Sequence, residues 1–402
     1  MAILSLLAAG RASTRPDYYT AGFYTRGSDA AFYMDQGGVI DPFYVPITNW
    51  SILPRVTLVY SQDDDFFMVR DAPQRSSLSL IPGALVIYGR PEHNHLYTDV
   101  SVALPLMETG ASSASGLRRV VTLGGVKKTG KSQIYGRIGH RYLETEDVAS
   151  GSRVANKDIV GSIGLENRIS TKTSVGLNGS FELNRFGNAG YIDYNRYYGA
   201  GRFYYRITDK SELFLQGGIG RDELKEEQPG VYGSATFYDV SIGMRGKPRP
   251  KTTVSGRVGY RRRQYDDETI SDIASWVANL GIETTPFGFS IFSAELLADI
   301  RPDITAAGDS AVDKRMTFGV NRRLFTERLK GDASVLFGTV DFRGPGGTSS
   351  EEYWGFTLGI DWWTRHNLSF GAAYSYIERW NASGGGPSYE SGLWSLRMSW
   401  NY

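Results

Sequence analysis

Arginines at alternating positions are the residues of this sequence whose charge and spacing could select solutes. They recur two or four residues apart in segments 131–145 and 251–265, and further arginines lie in 191–207 and 234–247. Fixed charges that share one face of a wall create a field, and such a field selects solutes by charge. The residues predicted to share this face and to line a pore are Arg137, Arg196, Arg202, Arg245, Arg257, Arg261, Glu283, Glu295 and Asp299.

Two arrangements of these charges are compatible with the sequence. The arginines, among them Arg141, Arg206 and Arg263, occupy the middle of the chain, while acids such as Glu166 and Glu182 precede them and other acids follow. In the first arrangement the two signs are segregated and set up a transverse field. In the second, opposite charges pair across strands and merely keep the wall wet. We expect the second.

Other chemistry has little support. The histidines His93, His95, His140 and His366 are scattered, and the sequence contains no GxSxG motif, P-loop or HExxH motif. Segment 61–67, SQDDDFF, carries three consecutive acids that could attract a cation, but a solvated acidic loop is the simpler interpretation. We therefore expect neither an enzyme nor a bound cofactor or metal ion.

Composition narrows the class of protein. The 402 residues are 41% hydrophobic, and no run of about 18 apolar residues exists, which excludes transmembrane helices. Cysteine is absent, which is compatible with an oxidising compartment. The net charge of +1 argues against nucleic acid as a partner.

Period-two alternation predicts the elements that must position these charges. In 352–362 every even residue from Trp354 onward is large and apolar and the odd residues are mostly small or polar, and the same alternation recurs in 175–183, 251–263 and 392–402. Such a period over a whole segment predicts a β-strand. Eighteen strands are predicted, at about 54–62, 77–88, 94–106, 118–128, 131–145, 156–168, 172–184, 191–207, 209–222, 234–247, 251–265, 272–284, 286–300, 312–324, 328–342, 351–363, 366–379 and 390–402.

The connections between these strands alternate in length. Short turns such as 128–130 and 208–209 alternate with longer connections such as 63–76 and 223–233. This pattern is typical of an outer-membrane β-barrel whose strand ends both face the periplasm. We predict an all-β, antiparallel transmembrane barrel of about 18 strands, or 16, in the outer membrane of a Gram-negative bacterium. Its last strand must pair with its first, because an open edge cannot lie in lipid.

The apolar stripe of each strand should face that lipid. Trp354 and Trp362 are eight residues apart, which on a tilted strand is about 20 Å along the membrane normal, close to the spacing of the aromatic girdles of a barrel. An aromatic C-terminus, here Trp400 and Tyr402, resembles the signal read by the barrel-assembly machinery. Lipid, lipopolysaccharide and that machinery are therefore expected partners. The predicted lipid-facing residues are Leu177, Trp354, Phe356, Trp362, Leu396 and Trp400.

Two segments precede the predicted barrel of residues 54–402. Residues 1–12 form an apolar run ending in a small-x-small triplet, which is typical of a signal-peptide remnant, although the usual basic start is missing. Residues 13–53 are rich in Tyr, Phe and Gly. They could form a luminal plug, a periplasmic docking arm or an extra hairpin on the rim. No predicted loop is long enough to narrow a barrel of this width, so this segment or a partner should occlude it.

The opening strand carries a resemblance to a known family. Segment 54–69, PRVTLVYSQDDDFFMV, resembles the start of the outer-membrane β-barrel porin 2 family, in which a strand closes on a Tyr-x-x-Asp-Asn-x-Phe type sequence. Tyr60, Asp64 and Phe67 match that pattern, and Asp65 stands where asparagine is common. The likeness extends over about 54–402. It implies a role in exopolysaccharide or capsule export, together with a periplasmic export protein.

Three functions remain open at this point. The first is an outer-membrane conduit for a secreted polysaccharide that acts with a periplasmic partner, which the resemblance implies. The alternative is a diffusion porin for small solutes, which would be anionic if the arginines determine its selectivity. The third is a barrel without a transport role, which would act as an anchor or as a subunit of an outer-membrane complex.

Overall fold

The computed structural model of the protein describes most of the chain from residue 43 onward. The described residues are 43–45, 50–63, 75–89, 94–109, 118–147, 152–187, 192–225, 234–268, 270–302, 310–326, 328–344, 347–365, 367–381 and 389–401. The predicted signal remnant and most of the segment 13–53 lie outside these residues, as does Tyr402.

These residues form β-strands joined by turns. No helix among them is long and apolar enough to span a membrane. The strands are β1 (Phe43–Val45), β2 (Trp50–Asp63), β3 (Arg75–Gly89), β4 (His95–Thr109), β5 (Arg118–Thr129), β6 (Ser132–Asp147), β7 (Ser152–Arg168), β8 (Thr173–Phe186), β9 (Tyr194–Thr208), β10 (Ser211–Leu224), β11 (Ala235–Arg249), β12 (Thr252–Tyr265), β13 (Ile273–Thr284), β14 (Ser290–Pro302), β15 (Ser310–Arg323), β16 (Leu329–Gly344), β17 (Gly347–Arg365), β18 (Leu368–Asn381) and β19 (Tyr389–Asn401).

Strands β2 to β19 close into one antiparallel barrel. Each strand pairs with the next in the chain, and β19 returns to β2 in a register that runs from Leu393 opposite Asp63 to Asn401 opposite Arg55. The predicted fold class, the closure of the last strand on the first and the count of 18 rather than 16 strands are therefore confirmed. Closure leaves no strand edge to hydrogen-bond in lipid, which is the requirement for a sheet that spans a membrane.

The strand boundaries differ from the sequence prediction at a few ends. Strand β2 begins at Trp50 and not at residue 54, so the last residues of the predicted N-terminal segment belong to the barrel. Strand β14 begins at Ser290 and not at residue 286, because the turn before it is longer than predicted. In that turn the Ser290 amide donates a hydrogen bond to the Phe287 carbonyl at 3.0 Å.

The two rims differ in the length of their connections. One rim has two-residue turns at 130–131, 209–210 and 250–251. In the first of these, Gly130 has a φ of +50°, a conformation that tight hairpin turns require and that glycine adopts without a side-chain clash. Most connections at the opposite rim are longer, such as 64–74 and 225–234. Because periplasmic turns are short and extracellular loops are longer, the rim with the long connections is the extracellular one.

Strand β1 extends the periplasmic end of the seam between β2 and β19. It pairs Phe43 with Ile52 and Val45 with Trp50. The other edge of β2 is already paired with β3 at these positions, so β1 lies on the edge that β19 uses further up. Because β19 and β1 both run antiparallel to β2, the end of β19 points at the start of β1.

An ion pair identifies the inner face of the barrel. Arg245 on β11 binds Glu166 on β7 at 2.6 Å. Four interstrand spacings of about 4.8 Å separate the two strands by about 19 Å along the sheet, so the side chains can meet only through the enclosed space. Residues with the parity of Arg245 therefore point inward. The opposite parity exposes large apolar side chains, such as Val240 and Ile242 on the same strand.

Aromatic side chains lie flat over glycines of the neighbouring strand. A Cβ atom added at Gly243 would lie 2.2 Å from the ring of Phe214, which is directly opposite, and one at Gly164 would lie 2.2 Å from the ring of Tyr135. The missing side chain provides the space that the ring fills. This pairing explains part of the high glycine content and keeps the rings against the wall.

Candidate functional site: the charged inner wall

The centre of the inner wall is a hydrogen-bonded network around Asp239. Its Oδ2 atom lies 3.1 Å from Arg257 Nη1 and 3.2 Å from the hydroxyl of Tyr198. Gln216 Nε2 donates to the same oxygen at 3.3 Å. Arg261 lies 3.8 Å from Asp239 and also pairs with Asp299 two strands away. Strands β9, β10, β11, β12 and β14 are thus connected by one chain of polar contacts.

A second cluster lies closer to the extracellular rim. Asp222 accepts two hydrogen bonds from Arg196, at 2.7 and 3.1 Å, and one from Arg263. The side chain of Asp222 is fully buried, and that of Arg263 is 2% exposed. A carboxylate removed from water is stable in ionised form only when cations and hydrogen bonds compensate it, as these two arginines do.

A third cluster lies near the periplasmic rim. Arg245 binds Glu166 at 2.6 Å and Glu212 at 2.7 Å. Arg206 approaches the same Glu212 at 3.6 Å. The two glutamates come from β7 and β10, so the cluster connects walls that are separated along the sheet.

Aromatic rings lie between the three clusters. The guanidinium of Arg245 lies 3.9 Å from the centroid of Tyr204, and that of Arg261 lies 4.8 Å from the centroid of Phe237. Tyr198 and Phe237 are stacked with centroids 5.9 Å apart. Cations within about 6 Å of a ring face are attracted by its quadrupole. Arginines and rings therefore alternate along this wall from one rim to the other.

Arg202 differs from the other arginines of this wall. Its Nε donates to Gln216 at 2.6 Å, and its Nη1 lies 3.5 Å from the hydroxyl of Tyr204. Within the described part of the chain, no carboxylate forms an ion pair with it. Its hydrogen-bond partners are neutral, so no carboxylate among them compensates its positive charge. The ring of Phe214 lies 5.5 Å from its guanidinium.

The opposite wall has a different chemistry. Val340, Tyr353 and Ile377 form an apolar cluster with Ala311 on β15 to β18, and each is at most 2% exposed. The hydroxyl of Tyr353 donates to Asp313 at 3.0 Å. The inner surface of β15 to β18 therefore combines an apolar cluster with ion pairs such as Arg379 with Glu351, whereas charges and rings dominate on β9 to β12.

Comparison with known structures gives the same architecture. The chain is similar to OccK9 (OpdG) of Pseudomonas aeruginosa, with a TM-score of 0.50 and 11% identity over 88% of this chain and 99% of that chain. It is also similar to OccAB4 of Acinetobacter baumannii, with a TM-score of 0.47 and 12% identity over 88% and 99%. The siderophore receptor PirA of Pseudomonas aeruginosa gives a TM-score of 0.44 and 9% identity over 87% and 80%. No family model matches the chain, and no curated protein matches its sequence.

The chain is an outer-membrane β-barrel. The closed barrel with an apolar outer surface places it in the outer membrane of a Gram-negative bacterium, as predicted. The resemblance to the porin 2 family stays a prediction, because no family model matches the chain.

The barrel positions the predicted pore-lining residues in two groups. Arg196, Arg202, Arg245, Arg257 and Arg261 lie together on the wall described above, and Asp299 joins them through Arg261. The remaining three lie on strands outside β9 to β12. Arg137 lies on β6 opposite Ser162, Glu283 on β13 opposite Ser293, and Glu295 on β14 opposite Thr317.

Sequence reasoning missed the acids that hold this wall together. Asp222, Asp239 and Glu212 have the parity of the inward-facing residues of their strands, so the alternation itself carried the signal. The prediction placed the acids before and after the arginines, whereas these three lie between them. Of the two arrangements considered, pairing of opposite charges describes this wall, as expected.

The predicted lipid-facing residues lie on the outer face. Leu177, Trp362 and Leu396 expose more than half of their side-chain surface. Trp354 and Phe356 are stacked on each other with centroids 6.1 Å apart, which lowers their exposure. Trp400 is opposite Val56 at the seam.

Within the described residues, no group of His, Cys, Asp and Glu could hold a metal ion.

Proposed function

We propose that this barrel is a diffusion channel for small solutes and that its charged wall favours small anions. The observation that carries the proposal is the alternation of arginines and rings along β9 to β12, with Arg202 free of an ion-pairing carboxylate among the described residues. A solute carboxylate or phosphate that reaches Arg202 would pair with it without displacing a carboxylate of the wall.

The ion pairs set the expected strength of this preference. Asp222 and Asp239 neutralise much of the positive charge of Arg196, Arg257 and Arg263. The summed field along the pore is therefore small, and the preference for anions should be modest. It should depend on single arginines, Arg202 above all, and should weaken as salt screens the exposed charges.

A conduit for secreted polysaccharide is supported less well. That role rests only on the resemblance of residues 54–402, and of segment 54–69 in particular, to the porin 2 family. The rings of Tyr204, Phe214 and Phe237, which could stack on sugars, each have an arginine over them. The neighbours in structure are channels and receptors and not enzymes, in keeping with a transport role.

Conductance across a planar bilayer tests the proposal. The purified barrel should form open channels, and the reversal potential in a salt gradient should show a preference for chloride over potassium. Arg202→Gln should reduce that preference, whereas Lys127→Gln, which removes a positive charge from the outer face of β5, should not. Failure of the intact barrel to conduct would refute the channel, and equal reversal potentials for both variants would refute the role of Arg202.

The segment before β1 remains a proposed plug or docking arm. The end of β19 points at the start of β1, so β19 already occupies the edge of β2 beyond Phe43. A luminal course would let the aromatic residues of 13–42 cover the apolar cluster of β15 to β18. A periplasmic course would leave them available to a partner.

A further inference from the structure

The outer face of β5 to β8 carries a row of cations close to the extracellular rim. Arg119 on β5 is opposite Tyr142 on β6, Tyr142 is opposite Lys157 on β7, and Lys157 is opposite Arg185 on β8. The four residues therefore form one register row across four strands. We define them as the cationic row.

The cationic row follows directly on the apolar band. The next row toward the membrane centre consists of Val121, His140, Ile159 and Leu183, in the same register. Beyond it lie exposed apolar residues such as Leu123, Ile138 and Ile163. On each of β5, β7 and β8, the outward residue that ends the apolar stretch is basic. The row thus lies where the acyl chains of the outer leaflet end and the headgroups begin.

The charges of this row lack compensation from the protein. Arg119 and Lys157 are exposed, and within the described residues neither has an ion-pairing carboxylate. Lys157 is directly opposite Arg185, and like charges at such positions destabilise a sheet. Arg185 is partly compensated by Asp193 at 3.6 Å and by the side chain of Asn195 at 2.8 Å. An external anion would relieve the repulsion between Lys157 and Arg185.

The surface below the row has a shape that suits an acyl chain. Gly179 and Gly199 are opposite each other on the outer face of β8 and β9, and a Cβ atom added at Gly199 would meet nothing within 4 Å. The resulting depression is bordered by Ile163, Tyr197 and Ile219 and belongs to an open cavity of 660 Å³ that is also lined by the inward-facing residues Arg137 and Tyr198. An acyl chain in this depression would place its headgroup near the cationic row.

We propose that the cationic row is a binding site for the phosphate of a glycolipid in the outer leaflet. The phosphate would bind between Arg119 and Lys157, which lie two interstrand spacings, about 10 Å, apart, with the Tyr142 hydroxyl between them. The acyl chains would lie on the apolar band and in the depression below. The proposal depends on the orientation of the barrel in the membrane and is independent of what passes through the lumen.

Binding of phosphorylated lipid A to the purified barrel in neutral-detergent micelles tests the proposal. The affinity of the unchanged protein should exceed that of Arg119→Gln/Lys157→Gln about 30-fold, since each cation near a membrane surface contributes about a factor of five. The control Lys127→Gln/Lys172→Gln removes the same charge near the periplasmic rim and should bind as the unchanged protein does. With lipid A that lacks phosphate, all three proteins should bind equally.

Several outcomes would overturn the proposal. Equal affinities of the two double variants for phosphorylated lipid A would show that the row has no special role in binding. If inorganic phosphate alone bound as tightly as phosphorylated lipid A, the row would be a site for soluble anions and not for a glycolipid. If the double variant does not fold, the affinities of the single variants Arg119→Lys and Lys157→Gln for phosphorylated lipid A are measured instead. Arg119→Lys keeps the charge and should bind as the unchanged protein does, whereas Lys157→Gln should bind about fivefold more weakly.

Discussion

Asp222 offers a sharp test of the inner wall, because it has an exposed counterpart of the same chemistry. Asp222 lies between Arg196 and Arg263 and is fully buried. Asp266 forms a similar bond with Arg221, at 2.8 Å, but both of these side chains are more than 40% exposed. Replacing either acid by Asn keeps the size and one acceptor oxygen and removes the negative charge.

The two substitutions should differ in cost. Removing one partner of a buried ion pair costs about 3–5 kcal/mol, because the remaining charge is left without compensation in a poorly hydrated site. Asp222→Asn leaves two such arginines and should fall in this range. Asp266→Asn should cost at most about 1 kcal/mol, which is typical of exposed pairs. High salt should reduce the cost of Asp266→Asn further and should change that of Asp222→Asn much less.

Equilibrium unfolding of the barrel in lipid vesicles gives both numbers. The free energy of unfolding is measured by tryptophan fluorescence as urea rises, and circular dichroism verifies that both variants start from the same strand content. Costs for Asp222→Asn and Asp266→Asn that agree within about 1 kcal/mol would refute the reasoning. That result would mean that water reaches Asp222 and that the cluster is an ordinary wet surface.

Three further predictions concern the lipid face, the backbone and the N-terminal segment. Leu177→Arg should cost about 2–4 kcal/mol because it places a charge in lipid, whereas Asn178→Arg on the inner face should cost less; similar losses of heat-resistant folding would contradict the assigned faces. Gly256→Ala should destabilise the barrel, because Gly256 has a φ of +148° and an added Cβ would lie 2.1 Å from the carbonyl oxygen of Asn279. Gly199→Ala, where an added Cβ meets nothing within 4 Å, should be tolerated. Equal shifts of the unfolding midpoint in urea for the two variants would contradict this prediction. Deleting residues 13–42 should raise single-channel conductance several-fold if they form a plug and should leave it unchanged if they form a docking arm.

The strands could be predicted from the sequence because one physical rule governs all of them. A strand between lipid and water must alternate, so the pattern of residues 352–362 fixes both the element and its outer face. Because an open strand edge cannot lie in lipid, a sheet of such strands must then close on itself. These inferences need only local sequence and the properties of the bilayer.

The contacts of the inner wall could not be predicted in the same way. Alternation assigns Arg257 and Asp239 to the inner face, but not to the same height. Their contact depends on the register of β11 against β12, which includes an irregularity between Gly246 and Arg249. The pair of Arg245 with Glu166 depends in addition on how the wall curves between β7 and β11. Neither the register nor the curvature can be inferred from the alternation within one strand.

The seam between β19 and β2 has a consequence for how the barrel forms. Every other pairing in the ring joins neighbours in the chain, whereas the hydrogen bond between Thr57 and Ser399 joins residues 342 positions apart. Closing so long a loop costs on the order of 3 kcal/mol more in chain entropy than closing a hairpin. The hairpins can therefore form one after another as the chain arrives, while the exposed edge of β2 must wait for residues 389–401. The duration of synthesis and delivery, and not the stability of the individual strands, then sets how long that edge stays open to a wrong partner.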